Sequence, residues 1–366
     1  MRLEELDFEI PEGMIAQRPA MPRDSCRLLF VDAQGGTRHG SFAELPDVLR
    51  PGDMLVLNDS RVMLARVPAT RRSGGRVELL FLRAVDGEMK AGETRAVGEV
   101  WEVLARPSQR LRQGAELTLS EEHVLVLRER LGEGRWLVEG PPRSSMTLLM
   151  DRYGRLPLPP YIKVYPDDPR SYQTVYAARS GSAAAPTAGL HFTPGLLERL
   201  RLSGIRSACV TLHVGLDTFQ PIRKALIEEH RIHREAYQVS QAALETIRGA
   251  RSSGGRLVAV GTTAARVLET LAARGVLDGE AGLGSVSGFT EIFITPGYRF
   301  KAVDALLTNF HLPCSTVLAM VMAFAGVERI RNVYREAMDL GYRFFSFGDA
   351  MLIEAPTHVG SGGKGR

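Results

Sequence analysis

A change of pattern between residues 61 and 154 limits the fold of this chain more than any other feature. Short apolar or alternating runs follow one another there: Val77 to Leu82, Val100 to Ala105, Glu116 to Leu119, Val124 to Leu127 and Trp136 to Val138. Turn signals at Asp86-Gly87, Gln113-Gly114 and Gly132-Glu133-Gly134 separate them. Short runs spaced this way build a small all-β barrel or sandwich. Outside that region strands and helices alternate. Val210 to Val214 and Leu257 to Val260 read as buried strands, whereas Pro194 to Leu202, Gln241 to Arg251, Ala264 to Arg274 and Val327 to Leu340 carry helical spacing. The expected fold class is α/β: a mixed-sheet α/β main domain, 1–60 and 155–355, interrupted by an inserted β-barrel domain, 61–154. LPLPPYI, Leu156 to Ile162, is a stiff extended re-entry into the host, and 356–366 reads as a disordered tail.

A chain of 366 residues, 44% hydrophobic and 24% charged, has material for two domains. Charged residues begin within the first seven positions and no run approaches about 18 apolar residues, so a soluble, cytoplasmic, monomeric protein is expected, with no membrane partner. Cys26, Cys209 and Cys314 are scattered without CxxC spacing, which points to neither a disulfide framework nor zinc. Cys26 and Cys209 are expected to be buried thiols.

Charge is unevenly placed. Residues 61–155 hold 17 Lys+Arg against 13 Asp+Glu, an excess equal to the +4 of the entire chain. The positive groups gather at Arg71, Arg72 and Arg76 around a Ser-Gly-Gly turn, and at Arg106, Arg110 and Arg112. Such clusters suit a phosphate backbone; a solvated arginine-rich surface accounts for them equally well.

The most informative stretch for chemistry lies elsewhere, in TEIFITPGYRFKAVDALLTNFHLPCS from Thr290 to Ser315. A strand-like segment, Glu291 to Thr295, runs into a Pro296-Gly297 turn and then Tyr298, Arg299, Lys301, Asp304, Thr308, Asn309 and His311. Loops that carry several titratable side chains beside buried strands are where sites are built. GSAAAPTAGLHFTPGLLERL places Thr187 and His191 just before a helix capped by Thr193 with Pro194 at its first position. A histidine there is held neutral by the positive end of the helix, as donor or base, unless it merely packs. In TLHVGLDTFQPI, His213 sits in an otherwise apolar strand and needs a partner, for which Asp217 and Glu235 are candidates. His230 and His233 have metal-like spacing but no second ligand set, so no metal is expected. VAVGTTAARVLETL is a strand, a Gly261 turn and a helix opened by Thr262 or Thr263; any βα unit needs such a cap. LVLNDSRVMLARV and YRFFSFGDAMLI each put a carboxylate, Asp59 and Asp349, at the end of a strand, where it lines a crevice or serves as a turn residue. Phe344, Phe345 and Phe347 could stack on a base, although alternating aromatics more often pack in a core.

Taken together, NDSRVMLARV, WEVLARPSQRLRQG, LPLPPYI, SYQTVYA, APTAGLHF, TLHVGLDTFQPI, GTTAARVLETL, TEIFITPGYRFKAVDALLTNFHLP and GYRFFSFGDAMLI, in this order and over nearly the whole length, closely resemble the S-adenosylmethionine:tRNA ribosyltransferase-isomerase family of queuosine biosynthesis. The resemblance implies a transferase that moves and isomerises the ribosyl part of S-adenosylmethionine onto 7-aminomethyl-7-deazaguanine (preQ1) at the tRNA wobble position. Epoxyqueuosine-tRNA, adenine and methionine are the products, and S-adenosylmethionine is a consumed co-substrate rather than a cofactor. It implies His191, His213, Asp59 and Asp349 as catalytic candidates. Arg61, Thr187, Thr262, Thr263, Tyr298, Arg299, Lys301, Asn309 and His311 would bind substrate, and the six barrel arginines would bind RNA. Two other classes compete: an S-adenosylmethionine-dependent tRNA methyltransferase, which should show a glycine-rich loop after an early strand, and a non-catalytic RNA-binding protein, which would not need the histidine-bearing segments. The family pattern carries Lys where this chain has Cys314 and Gly where it has Asp217.

Overall fold

The computed structural model describes residues 1–85, 98–142, 144–215, 222, 224–230, 232, 234–279 and 284–356. They form two compact units, one comprising 1–60, 160–179 and 185–366, the other 61–159 and 180–184. Residues 155–159 and 180–184, read from sequence as host, thus belong with the second unit. The tail from 357 onward and Asp217 lie outside the described residues.

The first unit is built on a nine-stranded mixed sheet. Its strands are β1 (Arg27–Val31), β2 (Thr37–Ser41), β3 (Met54–Asn58), β12 (Arg206–Leu212), β13 (Glu235–Val239), β14 (Leu257–Val260), β15 (Val286–Thr290), β16 (Ala305–Asn309) and β17 (Ala350–Glu354). The intervening labels belong to β4 (Ser60–Val62) and β11 (Arg179–Ser182), which pair with each other, and to the six barrel strands given below. Across the sheet the order is β15-β13-β12-β3-β14-β16-β17-β1-β2. The centre, β12-β3-β14-β16, is parallel and buried almost throughout, which is why those segments read as continuous apolar runs. Helices α1 (Leu45–Val48), α3 (Pro194–Leu202), α4 (Gln241–Ser252), α5 (Gly261–Ala273), α6 (Thr316–Ala325) and α7 (Val327–Asp339) complete the unit, and α2 (Met146–Tyr153) belongs to the other. One core layer joins Leu55, Leu57, Val258, Val260 and Leu307 to Phe42, Phe192, Leu196 and Leu200.

The second unit is a closed antiparallel barrel in the order β10-β7-β6-β5-β8-β9. Its strands are β5 (Arg66–Arg71), β6 (Arg76–Val85), β7 (Val100–Arg106), β8 (Glu116–Thr118), β9 (Val124–Gly132) and β10 (Arg135–Glu139). Alternate residues, among them Val77, Leu79, Phe81, Val103, Leu117, Leu125, Leu127, Trp136 and Val138, fill the interior. Closure leaves no free edge to pair with another chain.

Two elements depart from the sequence reading. The segment from Glu291 to Thr295 is not a strand; the strand is Val286–Thr290. Its partner β13 begins at Glu235, opposite Thr290, so the ladder ends there, and the Thr290 hydroxyl turns the chain by accepting the Ile292 amide at 3.3 Å. The aromatic run from Tyr342 is likewise no strand. Phe345 stands at φ +69°, and Tyr342, Phe344 and Phe347 are packed into the core, with the Phe344 and Phe310 rings 4.9 Å apart. These aromatics are core, not a stacking surface.

Candidate functional site

The four parallel central strands bring their carboxyl ends side by side, the position at which open α/β sheets bind ligands. Chain turns there carry Asn58-Asp59 after β3, His213 after β12, Gly261 after β14 and Asn309 at the end of β16. Asn58, fully buried, extends the ladder by donating to the Leu212 carbonyl at 3.1 Å and accepting the Leu212 and Ser60 amides at 3.0 and 3.1 Å.

Asn309 organises the next layer. Its Oδ1 accepts from the Thr187 hydroxyl at 2.9 Å, and its Nδ2 reaches His191 Nε2 at 3.0 Å and the Phe345 carbonyl at 3.2 Å. A carbonyl only accepts, so the amide nitrogen is the group facing Phe345 and His191. His191 Nε2 is therefore the acceptor, the ring proton sits on Nδ1, and Nδ1 points at Cys26 Sγ, 3.2 Å away. Burial pushes this imidazole down to about 3, with the charges of Arg343 and Arg23 adding to the effect. His191 is thus neutral, as expected from sequence, but burial is the main cause rather than the helix. Thr193 caps α3 by accepting the Leu196 amide, and its hydroxyl donates to Asp24 at 2.7 Å. Gly189 has no alternative in this segment: a β-carbon would run into the Tyr176 hydroxyl.

Asp59, His213 and Thr211 form a second group. The Thr211 hydroxyl donates to Asp59 Oδ1 at 2.6 Å, while the Asp59 amide and carbonyl are fixed by Val210 and by the amides of Ala178 and Arg179. His213 is half-buried, and its Nδ1 has no partner among the described residues. Burial holds it below the usual histidine range, with the Asp59 carboxylate partly offsetting that effect. Glu235 does not serve His213. It pairs with buried Arg266 and accepts the Gly215 amide at 3.0 Å. His233 lies outside the described residues.

The polar loop after β15 is held from beneath by a residue the sequence reading overlooked. Glu269 on α5 is fully buried and accepts the Tyr298 hydroxyl at 2.9 Å and the amides of Lys301, Ala302 and Val303 at 2.9, 2.9 and 3.1 Å. Its signal was a lone carboxylate in AARVLETL, a helix buried on almost every side, because a charge there must find donors. Tyr298 is thereby occupied, and desolvation together with Glu269 raises its hydroxyl well above the ordinary value. The side chains of Arg299 and Lys301 stand exposed.

Asp349 is turned inward. It accepts the amides of Arg27 and Arg343 at 3.0 and 2.8 Å and the Arg343 guanidinium at 3.3 Å, so its carboxylate closes the 343–349 turn. Thr262 and Thr263 do not cap α5. Gly261 at φ +87° lets the strand pass straight into the helix, which leaves both threonines buried in its first turn. His311 bonds Thr308 Oγ1 at 2.7 Å, and burial pushes it down to about 4. Cys26 is buried as expected, whereas Cys209 is only half-buried. Cys314, at φ +53°, uses its amide on the Leu6 carbonyl and its carbonyl on the Ile222 amide.

In the barrel unit, Arg61, Arg72, Arg76, Arg106, Arg110 and Arg112 are exposed and Arg71 is partly so. Register pairs Thr70 with Arg76, Arg71 with Leu117 and Glu78 with Arg106, which brings the β5–β6 turn and the segment after Arg106 to one end of the barrel. Several arginines along the wall are paired: Arg66 with Glu78, Arg83 and Arg135 with Glu102, Arg128 with Glu139. The six at that end enter no ion pair among the described residues, and the two clusters of the sequence make one basic surface.

The model of the family described as "Queuosine biosynthesis protein" matches residues 3–353. The chain belongs to this family. It is 51% identical over 354 residues to a protein of Rubrobacter xylanophilus named S-adenosylmethionine:tRNA ribosyltransferase-isomerase, covering 96% of this chain and 98% of that one. A protein of the same name from Moorella thermoacetica is 50% identical over 357 residues, 96% of this chain and all of that one. The crystal structure of an S-adenosylmethionine tRNA ribosyltransferase from Thermotoga maritima is 36% identical, covers 95% of this chain and 99% of that one, and superposes with a TM-score of 0.52. Among the described residues of this queuosine biosynthesis family member, no group of three His, Cys, Asp or Glu side chains could hold a metal ion, and no helix is long and apolar enough to cross a membrane.

Replacing Glu269 by Gln turns one acceptor oxygen into a donor facing buried donors; the variant should lose about 3 kcal/mol in denaturant unfolding, and an unchanged midpoint would contradict this role. Burial of His191 and partial burial of His311 set a pH dependence. Below about pH 6.5 the unfolded chain binds protons that folded His191 and His311 refuse, so stability is full above that pH and falls toward pH 4. Between pH 6.5 and 4.5 the wild type should lose stability more steeply than His311→Gln, by up to about 1.4 kcal/mol per pH unit; coincident slopes would remove His311 from the effect.

Proposed function

We propose that this protein transfers and isomerises the ribosyl moiety of S-adenosylmethionine onto 7-aminomethyl-7-deazaguanine at the wobble position of tRNA, releasing adenine and methionine. The observation that carries this reading is membership, over residues 3–353, of a family whose relatives at about half identity bear that enzyme's name. S-adenosylmethionine enters as a consumed co-substrate. A methyltransferase would need a glycine-rich nucleotide loop following a strand, and β14 instead passes through Gly261 directly into α5.

The reaction needs a base for the proton on the carbon beside the sulfonium, and His213 is the side chain suited to it. It follows β12 at the carboxyl edge of the sheet, burial holds it below the usual histidine range, and its buried Nδ1 has no protein partner among the described residues. His191 takes a different part. With Nε2 accepting from Asn309 and Nδ1 facing Cys26, it has no lone pair to offer and positions the 187–191 segment instead. Asp349, engaged by its own turn, is likewise a positioning residue. The basic end of the barrel supplies the RNA contact, by charge rather than by base recognition.

Incubation with S-adenosylmethionine and preQ1-containing tRNA should release free adenine without S-adenosylhomocysteine; the opposite products would overturn the assignment. His213→Ala should slow adenine release about 10²- to 10⁴-fold without weakening tRNA binding, and a rate near wild type would remove it as the base. Neutralising Arg72, Arg76 and Arg110 together should weaken tRNA binding and flatten its salt dependence by about three units of log–log slope, while adenine release at saturating tRNA persists. An unaltered salt slope would place RNA elsewhere.

A further inference from the structure

Within the first unit, a cavity of about 280 Å³ opens where β13 parts from β12 and α4 begins. Asp59, Arg179, Cys209, Thr211, Gln238 and Ser240 contribute to its wall. Two features set it apart. Its lining residues include one acid and one base, Asp59 and the exposed Arg179, and these do not close on each other in an ion pair among the described residues, although the Asp59 carbonyl accepts the Arg179 amide at 3.1 Å. Elsewhere in this unit a buried carboxylate is paired, as Asp53 is by Arg256 at 2.7 Å. The carboxylate is also pre-set: the Thr211 hydroxyl holds Oδ1 at 2.6 Å, and the backbone on both sides of the side chain is bonded.

A wall of this composition selects its occupant by charge. A neutral purine can hydrogen-bond to both groups but leaves their charges uncompensated, and a phosphate that suits Arg179 is repelled by Asp59. An α-amino acid zwitterion satisfies both, its carboxylate on the guanidinium and its ammonium on the carboxylate, with the Thr211, Gln238 and Ser240 side chains beside them. The volume lies below the roughly 300–1,000 Å³ of sites that enclose a whole drug-sized ligand, so it suits one end of a larger molecule. We propose that this cavity holds the methionine end of S-adenosylmethionine, with Arg179 on the α-carboxylate and Asp59 on the α-ammonium. The proposal rests on the reaction assigned above. It moves the carboxylate contact away from Arg61, Arg299 and Lys301. It also places the sulfonium toward His213, which follows Thr211 by two residues and feels the Asp59 charge.

The test is a cycle between protein and ligand truncations, read by calorimetry on the full chain. The ligands are S-adenosylhomocysteine, its decarboxylated counterpart and its deaminated counterpart. Wild type should bind each truncated ligand about tenfold more weakly than the parent. Arg179→Ala should weaken S-adenosylhomocysteine about tenfold yet leave the decarboxylated ligand within about twofold of wild type, and Asp59→Asn should behave the same way toward the deaminated ligand. Equal losses for parent and truncated ligands, or no loss at all, overturn the assignment. Should a variant fold poorly, the wild-type comparison of the three ligands decides alone: indifference to carboxylate and ammonium refutes the site. Failure of the reaction itself reads differently, as absence of adenine release by the wild type from S-adenosylmethionine and preQ1-tRNA.

Discussion

The carboxamide of Asn309 is the interaction on which the candidate site depends. It is buried at the end of β16, and its polar atoms are engaged by two other stretches of chain, Thr187 and His191 from one and Phe345 from another. A buried amide costs free energy unless its hydrogen bonds are made, so the three segments must arrive together or not at all. It also determines chemistry at a distance. By occupying His191 Nε2 it fixes the tautomer, turns Nδ1 toward Cys26, and takes from this histidine the lone pair that acid–base work would require.

Three further buried carboxylates follow the same logic. Glu269 gathers the amides of residues 301–303, Asp349 closes the turn before β17, and Glu235 pairs with Arg266 while holding Gly215. Each draws a loop onto the sheet through several donors at once, and each is thereby removed from direct chemistry. Among the groups at the carboxyl edge with unused capacity are Asp59 and His213, where one ring nitrogen has no partner among the described residues and a carboxylate has no cation paired to it. A site is recognisable here by incomplete satisfaction.

The barrel unit obeys a separate electrostatic rule. Its wall arginines neutralise glutamates across neighbouring strands, as Arg83 and Arg135 do at Glu102, whereas those at the end near the β5–β6 turn are left exposed to counter-ions. An array of that kind releases counter-ions when a polyanion displaces them, and so it gives salt-dependent, sequence-independent attachment. Pairing register, not sequence proximity, assembles it, since Arg76 and Arg106 come from strands that meet only in the closed barrel.

Periodicity and turn residues by themselves determined the α/β class, the barrel interruption and the helices at 194–202 and 327–339, because those depend on local preference; the family was legible in long stretches of motif. They also singled out His213, Asp59 and Asn309, polar groups in or just after apolar strands. Only the tertiary structure decided which of those groups are consumed. Asp59 and Asp349 look alike in sequence, each a carboxylate at a strand terminus, yet one lines a cavity and the other is closed around by backbone amides. The strand expected at 291–295 ended one residue before it began because its partner ran out at Glu235, and Thr262 and Thr263 lost their capping role to Gly261. The physical reason is the same throughout. A hydrogen-bond donor or a strand partner supplied from dozens of residues away leaves no trace in local spacing, and whether a polar side chain is spent or available depends on that partner alone.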